Sequence, residues 1–258
     1  MKLIPEWYEH QYCLIAWPCN KDLYGKIINK ARDEVANVIN EIAKTEHVIV
    51  LSNKEDINEI ENKTDHKNID IVECKLDDSW MRDIAPIFYN EDEKLKSISF
   101  EFNGYGKYPD YLNDNKISKF ISNYLNIPIK ISDLVIEGGA ITYDDKKNLF
   151  STKNVIFNKN RKQKHNSEYI IKELKLLFDL NYIFLFENGL MEDDTDGHVD
   201  NLLSPIGKNK YLIATTHKLD PNYEILEKNK ADLIKFFRDT NQTVSYTHLR
   251  AHETSLHL

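Results

Sequence analysis

"MEDDTDGHVDNLL", residues 191–203, packs Asp193, Asp194, Asp196, His198 and Asp200 into eight positions and then turns apolar. It lies at a joint. Before it, "SEYIIKELKLLF" (167–178) puts Ile170, Leu174 and Leu177 on one helical face, and "NYIFLF" (181–186) reads as a strand. After it come the strand "KYLIATT" (210–216) and the helix "YEILEKNKADLIKFF" (223–237). The same alternation runs upstream. Ile27, Ala31, Val35, Val38 and Ile42 predict the buried stripe of one helix over 22–44, followed by strands "HVIVLS" (47–52) and "IDIVECK" (69–75). "IAPIFYN" and "KSISFEF" read as a hairpin turned by "NEDEK", and "NKISKFISNYL" as a helix ended by Pro128 before the strand "IPIKIS". "GAITYDDKKNLFST" reads as a second hairpin. Strand and helix alternate throughout, so the fold class is α/β, with a unit of two strands, a helix and a strand returning roughly every 60 residues.

The chain has 258 residues, 41% hydrophobic and 29% charged, in the range of a globular protein with a sizeable core. Its net charge of −8 argues against nucleic acid, whose phosphates demand a surplus of Lys and Arg. The apolar runs are strand-sized, and no signal peptide opens the chain, so the expected location is cytoplasmic with no membrane partner. The three cysteines, Cys13, Cys19 and Cys74, show no metal-type spacing.

Three segments carry chemistry. Extended, "HVDNLL" would turn His198 and Asp200 to one face, suited to metal ligation, acid/base catalysis or a cation; Asp194 and Asp196 sit in a turn-rich stretch. The bland alternative is an acidic turn entering a strand. "LDDSWMRDIAPIFY" (76–89) sets Trp80, Arg82 and Asp83 in a polar loop. A ring face beside a carboxylate suits a planar guanidinium, but this stretch alone favours a structural loop in which Arg82 pairs with Asp77 or Asp78 and Trp80 caps the core. In "VIEGGAITYD" (135–144), Glu137 precedes two of only eight glycines, which implies positive φ or a close backbone approach.

As a set these segments resemble the agmatine deiminases, within the guanidine-modifying superfamily that includes peptidylarginine deiminases. The resemblance runs through "PEWYEHQYCLIAWP", "DDSWMRDIAP", "FNGYGKYPDYLND", "EGGAITYD", "NKNRK" and "DDTDGHVDNL". It implies a pentein fold, five small ββαβ-type modules around a pseudo-fivefold axis, of which residues 1–243 would supply about four. It implies that Asp83 and Asp200 clamp the substrate guanidinium, that His198 is the general acid/base, that Trp80 lines the pocket and that Glu137 sits beside His198. Arg82 is expected to be structural. No cofactor or metal is implied; the partner would be a small cationic guanidine such as agmatine, and the parent protein could form a homo-oligomer.

The family's nucleophile is a cysteine in a "GGGNIHC"-like segment, and this chain has none. From about Val244, "VSYTHLRAHET" resembles the translation of a transposon adapter, so residues 244–258 are expected to be a non-native tail on a chain that is incomplete and inactive. A cluster of His248, His252 and His257 on one helical face is the rival reading of that tail. Rival functions are a peptidylarginine deiminase, a metal-dependent hydrolase built on Asp194, Asp196, His198 and Asp200, and a non-catalytic guanidinium or polyamine binder.

Overall fold

An unbroken apolar run suits a strand covered on both faces, and Val48–Ser52 is buried at every residue. The computed structural model describes residues 2–65 and 67–250. After β1 (Lys2–Leu3), the first unit runs β2 (Cys13–Ala16), α1 (Lys21–Tyr24), α2 (Ile28–Ile42), β3 (Val48–Ser52), α3 (Ile57–Lys63) and β4 (Ile69–Glu73). Its three strands are parallel in the order β2-β3-β4. Alternate residues of β3 serve two cores. Val48 and Val50 pack with Trp17 and Ile39; Ile49 and Leu51 pack with Ala16, Met81, Ile84 and Tyr105, beneath the candidate site.

Three further units repeat one plan. After α4 (Met81–Ile84), β5 (Ile87–Glu91) and β6 (Lys94–Glu101) form a hairpin, and α5 (Ile117–Tyr124) leads to β7 (Ile129–Val135), parallel to β6. The hairpin turns through Asp92 and Glu93, both at positive φ, as a two-residue turn requires. β8 (Thr142–Tyr143), β9 (Asn148–Thr152), α6 (Lys153–Ile156), α7 (Ser167–Phe178) and β10 (Tyr182–Phe186) repeat it. β11 (Leu203–Gly207), β12 (Lys210–Thr215), α8 (Tyr223–Asp239) and β13 (Ser245–Arg250) repeat it again. The protein is therefore α/β, built on four small sheets among the described residues. None of its described helices is long and apolar enough to cross a membrane.

Two local expectations fail. The helix expected over 22–44 is broken at Gly25, whose φ of +50° suits glycine and separates α1 from a short 3-10 turn and α2. Its buried face is also rotated: Arg32, Ala36 and Ile39 are buried, whereas Ile27 and Val38 are exposed. The cause is Arg32, whose guanidinium lies against Asp56 at 2.8 Å and Glu59 at 2.5 Å and donates from Nε to the Pro18 carbonyl at 2.9 Å. Compensated by two carboxylates, a cation takes a position that a count of apolar residues leaves outside.

The segment set apart from Val244 onward contains β13, which lies parallel to β12 and fills the last strand position of its unit. His248 is therefore in a strand rather than on a helical face, and His252 and His257 lie outside the described residues.

Candidate active site

Asp83 owes its place to its neighbours on α4. Met81 and Ile84 are buried in the core shared with Ile49 and Leu51, which leaves Arg82 and Asp83 to face the other way. The Asp83 carboxylate is pinned at both oxygens, Oδ1 accepting the Gly139 N–H at 2.8 Å and Oδ2 the Tyr105 hydroxyl at 2.7 Å. Tyr105 is aimed by an unusual backbone. It sits at φ +59° between Gly104 and Gly106, both also at positive φ. A Cβ on Gly106 would stand 1.8 Å from the Asn160 carbonyl oxygen, so the loop can touch the 158–161 turn only through glycine.

The paired glycines of "EGG" serve close approach rather than positive φ. A Cβ on Gly138 would lie 2.0 Å from the Arg82 carbonyl oxygen. On Gly139 it would lie 2.5 Å from Asp200 Oδ2, 2.5 Å from His198 Nδ1 and 2.7 Å from Asp83 Oδ1. Three candidate site groups from two distant segments thus converge over one α-carbon.

The acidic stretch around His198 divides its labour. Asp193 ties the turn, its carboxylate accepting the N–H groups of Thr195, Gly197 and His198 at 2.9–3.1 Å. Asp196 faces Arg161 at 2.7 Å and Lys107 at 2.6 Å, and the Asp194 carbonyl accepts from Lys107. Only Asp200 joins His198 and Asp83. The extended reading of "HVDNLL" is wrong here: Val199–Asn201 is a 3-10 turn, and the strand starts at Leu203. The turn bonds made by Asp193 curl the chain, Val199 anchors in the core, and His198 and Asp200 still reach one place. Asp194, Asp196, His198 and Asp200 do not converge as a metal shell would require, since Asp196 is spent on two cations.

The imidazole lies between two carboxylates, Nδ1 at 3.6 Å from Asp83 Oδ1 and Nε2 at 3.7 Å from Glu137 Oε2. His198, Glu137 and Asp83 are nearly sealed, with 3%, 1% and 8% of their side chains exposed. Burial alone would pull the imidazole pKa down; Glu137, Asp83 and Asp200 outweigh it and hold it above its ordinary value. Burial likewise opposes ionisation of Glu137, but His198 and Arg161 hold its pKa below the usual carboxylate range. Asp200 is raised to about 6, mainly by burial, with His198 and Arg82 working against the rise. A third of its side chain remains exposed, so water screens part of that effect.

Arg82 pairs with neither Asp77 nor Asp78. Its Nη1 meets Glu6 Oε1 at 2.6 Å and its Nε lies 3.7 Å from Asp200 Oδ2, tying the N-terminal segment to the mouth of the site. Beside this contact a cleft of about 1310 Å³ is lined by Glu6, Arg82, Gly138 and Tyr143 among others, but not by Asp83, His198 or Asp200. Trp80 is half-exposed at the head of the same turn and donates its indole N–H to Asp78 at 3.0 Å.

Two residues of the site escape a reading of the sequence by residue type. Tyr105 is signalled only by its flanking glycines. Arg161, in "NKNRK", looks like a surface charge yet is wholly buried. None of the three cysteines is among the groups that meet over Gly139. Burial pushes the Cys13 thiol up, Cys74 to about 11 and Cys19 to about 12, whereas an attacking thiolate needs a lowered pKa.

A family model described as Porphyromonas-type peptidyl-arginine deiminase matches residues 2–255. A Legionella pneumophila protein provisionally named agmatine deiminase is 33% identical over 238 residues, covering 91% of this chain and 68% of its own length. An agmatine deiminase of Pseudomonas aeruginosa is 29% identical over 226 residues, covering 84% of this chain and 61% of its own. Thus the chain spans only 61–68% of these curated relatives. Among solved structures, a C. jejuni agmatine deiminase with substrate bound superposes with a TM-score of 0.85 at 27% identity, covering 96% of this chain and 74% of that one.

Proposed function

We propose that this site binds and, in the full-length parent, deiminates a small guanidine, on the premise that the chain belongs to the Porphyromonas-type peptidyl-arginine deiminase family. The observation that carries the reading is the convergence of Asp83, His198 and Asp200 over the Gly139 α-carbon. Two carboxylates orient a planar cation and keep it protonated, and the imidazole beside them moves protons. Agmatine is the proposed substrate, because the relatives just described carry that name. A pentein arrangement, about four modules of five, is the proposed architecture, supported by three successive hairpin–helix–strand units.

In the proposed reaction a cysteine thiolate adds to the central guanidinium carbon, and ammonia departs with a proton from His198. Water activated by His198 then adds to the same carbon, and the C–S bond breaks to give N-carbamoylputrescine. Asp83 and Asp200 hold the cation while Trp80 closes its pocket and Glu137 backs the imidazole. None of the three cysteines of this chain is among the groups that meet over Gly139, so the nucleophile is proposed to lie in the longer protein, and these 258 residues to bind without turnover. The cytoplasm is the proposed location and a homo-oligomer the proposed form of the parent.

Calorimetry tests the binding half. Agmatine should bind this chain, and putrescine, which lacks the guanidinium, should bind at least ~10-fold more weakly, given the worth of a charge-assisted hydrogen bond. Between about pH 8 and about pH 5 the agmatine affinity should fall, because Asp200 takes up a proton near pH 6 and loses the charge that attracts the cation. Affinity that is flat or rising toward acid would remove Asp200 from the site. Ammonia release from full-length parent supplied with agmatine, but not with an arginyl peptide, tests the substrate. Release from this chain alone would refute the missing nucleophile, and a parent that binds agmatine without turnover would favour the non-catalytic binder.

A further inference from the structure

Arg161 is a fully buried cation with no part in the reaction as proposed. It lies in the 3-10 turn Lys159–Arg161, fully buried, and every arm of its guanidinium is in use. Nε donates to Glu137 Oε1 at 2.9 Å, Nη1 to Asp196 Oδ2 at 2.7 Å and to the Tyr105 carbonyl at 3.1 Å, and Nη2 to the Thr195 carbonyl at 2.6 Å. The group also stands 5.7 Å from the centre of the Tyr105 ring. One side chain therefore joins the loop that holds Asp83, the Glu137–Gly139 segment and the turn that carries His198.

The consequence lies in how Glu137 is divided. Its Oε1 is taken by Arg161, whereas its Oε2 has no hydrogen-bond partner, and neither has His198 Nε2, 3.7 Å away. Two buried, unpartnered atoms of complementary chemistry thus face each other, one small movement from a hydrogen bond. We propose that Arg161 is a positioning residue for the acid/base group: it keeps Glu137 ionised and turned so that Oε2 is reserved for the His198 imidazole. This rests on reading His198 as the acid/base residue, but its consequence is a property of the imidazole itself and can be measured without substrate.

The groups facing His198 are Asp83 from α4, Glu137, Asp200, the Tyr105 phenol and, at its backbone N–H, Asp193. Behind them stand Arg82 at Asp200, and Lys107, which shares Asp196 with Arg161. Of these cations only Arg161 touches Glu137. Without it, Glu137 loses one of the two cations that oppose the effect of burial, and its Oε1 is released from the bond that turns Oε2 toward the imidazole, so the imidazolium is favoured less.

NMR titration of histidine-labelled protein reads this directly, the His198 signal being assigned by its loss in His198→Gln. In Arg161→Met the His198 pKa should fall by about one unit, in Glu137→Gln it should fall equally, and the double variant should show no further fall. Arg161→Lys, which keeps the charge, should restore at least half the shift. A folded Arg161→Met with an unchanged His198 pKa overturns the proposal, as do falls that simply add in the double variant. Should Arg161→Met not fold, the comparison of Arg161→Lys with Glu137→Gln decides: a Lys variant that falls as far as the Gln variant overturns it. Agmatine calorimetry on wild-type protein is scored separately, so failure of the guanidine reading leaves this result legible.

Discussion

Gly139→Ala should abolish agmatine binding, weakening it by more than ~100-fold, and should cost about 1–3 kcal/mol of stability as an overpacked site. The added methyl would stand 2.5 Å from His198 Nδ1 and Asp200 Oδ2 and 2.7 Å from Asp83 Oδ1. Asp200, a third exposed, can swing away. His198 and Asp83 cannot: both are sealed, and Asp83 is held by the Tyr105 hydroxyl and by the Gly139 N–H itself. The methyl therefore either fills the space a guanidinium needs or drives the acid and the imidazole apart. Gly25→Ala is the control. Its Cβ meets nothing within 4 Å, but its φ of +50° penalises a side chain, so it should cost about 1–2 kcal/mol with agmatine affinity intact. Calorimetry and urea unfolding read both variants. Agmatine binding by Gly139→Ala within about threefold of the parent affinity would mean that the three groups do not share a ligand.

The contrast between the two glycines shows what the sequence could disclose. Strand-forming runs such as "HVIVLS" and "NYIFLF" announce themselves because both faces are buried, and periodic apolar residues announce α7 and α8. That suffices for an α/β alternation. The phase of α2 was not legible, because Arg32 is buried through Asp56 and Glu59, partners supplied by a segment more than twenty residues away. The meeting of Asp83 with His198 and Asp200 was suggested by family resemblance, not by spacing. Within "DDTDGHVD" nothing local says that Asp193 ties a turn, Asp196 binds Arg161 and Asp200 meets His198 and Asp83 over Gly139. Those assignments depend on contacts made after folding, and the same holds for Arg161, whose burial reverses what its charge-rich neighbourhood suggests.

Asp83→Asn should cut agmatine affinity by about 100-fold while changing stability by less than about 1 kcal/mol, and the pairing of those two outcomes is the test. An amide in place of this carboxylate can still be satisfied. Its oxygen can accept the Gly139 N–H now received by Oδ1. Its NH₂ can point at the Tyr105 oxygen, since a phenol accepts as readily as it donates once its hydrogen rotates away. The fold therefore loses little. What disappears is a negative charge in a nearly sealed place, where a charge-assisted bond to a cation is worth about 1.5–3 kcal/mol. His198 should respond as well: Asp83 is among the charges that hold its pKa up, so the imidazole should titrate lower in Asp83→Asn. Asp200→Asn provides the scale. Partly exposed, screened and already opposed by Arg82, Asp200 should yield only about a tenfold loss. The deeper carboxylate must therefore matter more than the one at the mouth. If Asp200→Asn proves the more damaging change, or if Asp83→Asn unfolds the protein while the remaining folded fraction binds normally, then Asp83 is a structural acid and the guanidinium is held elsewhere.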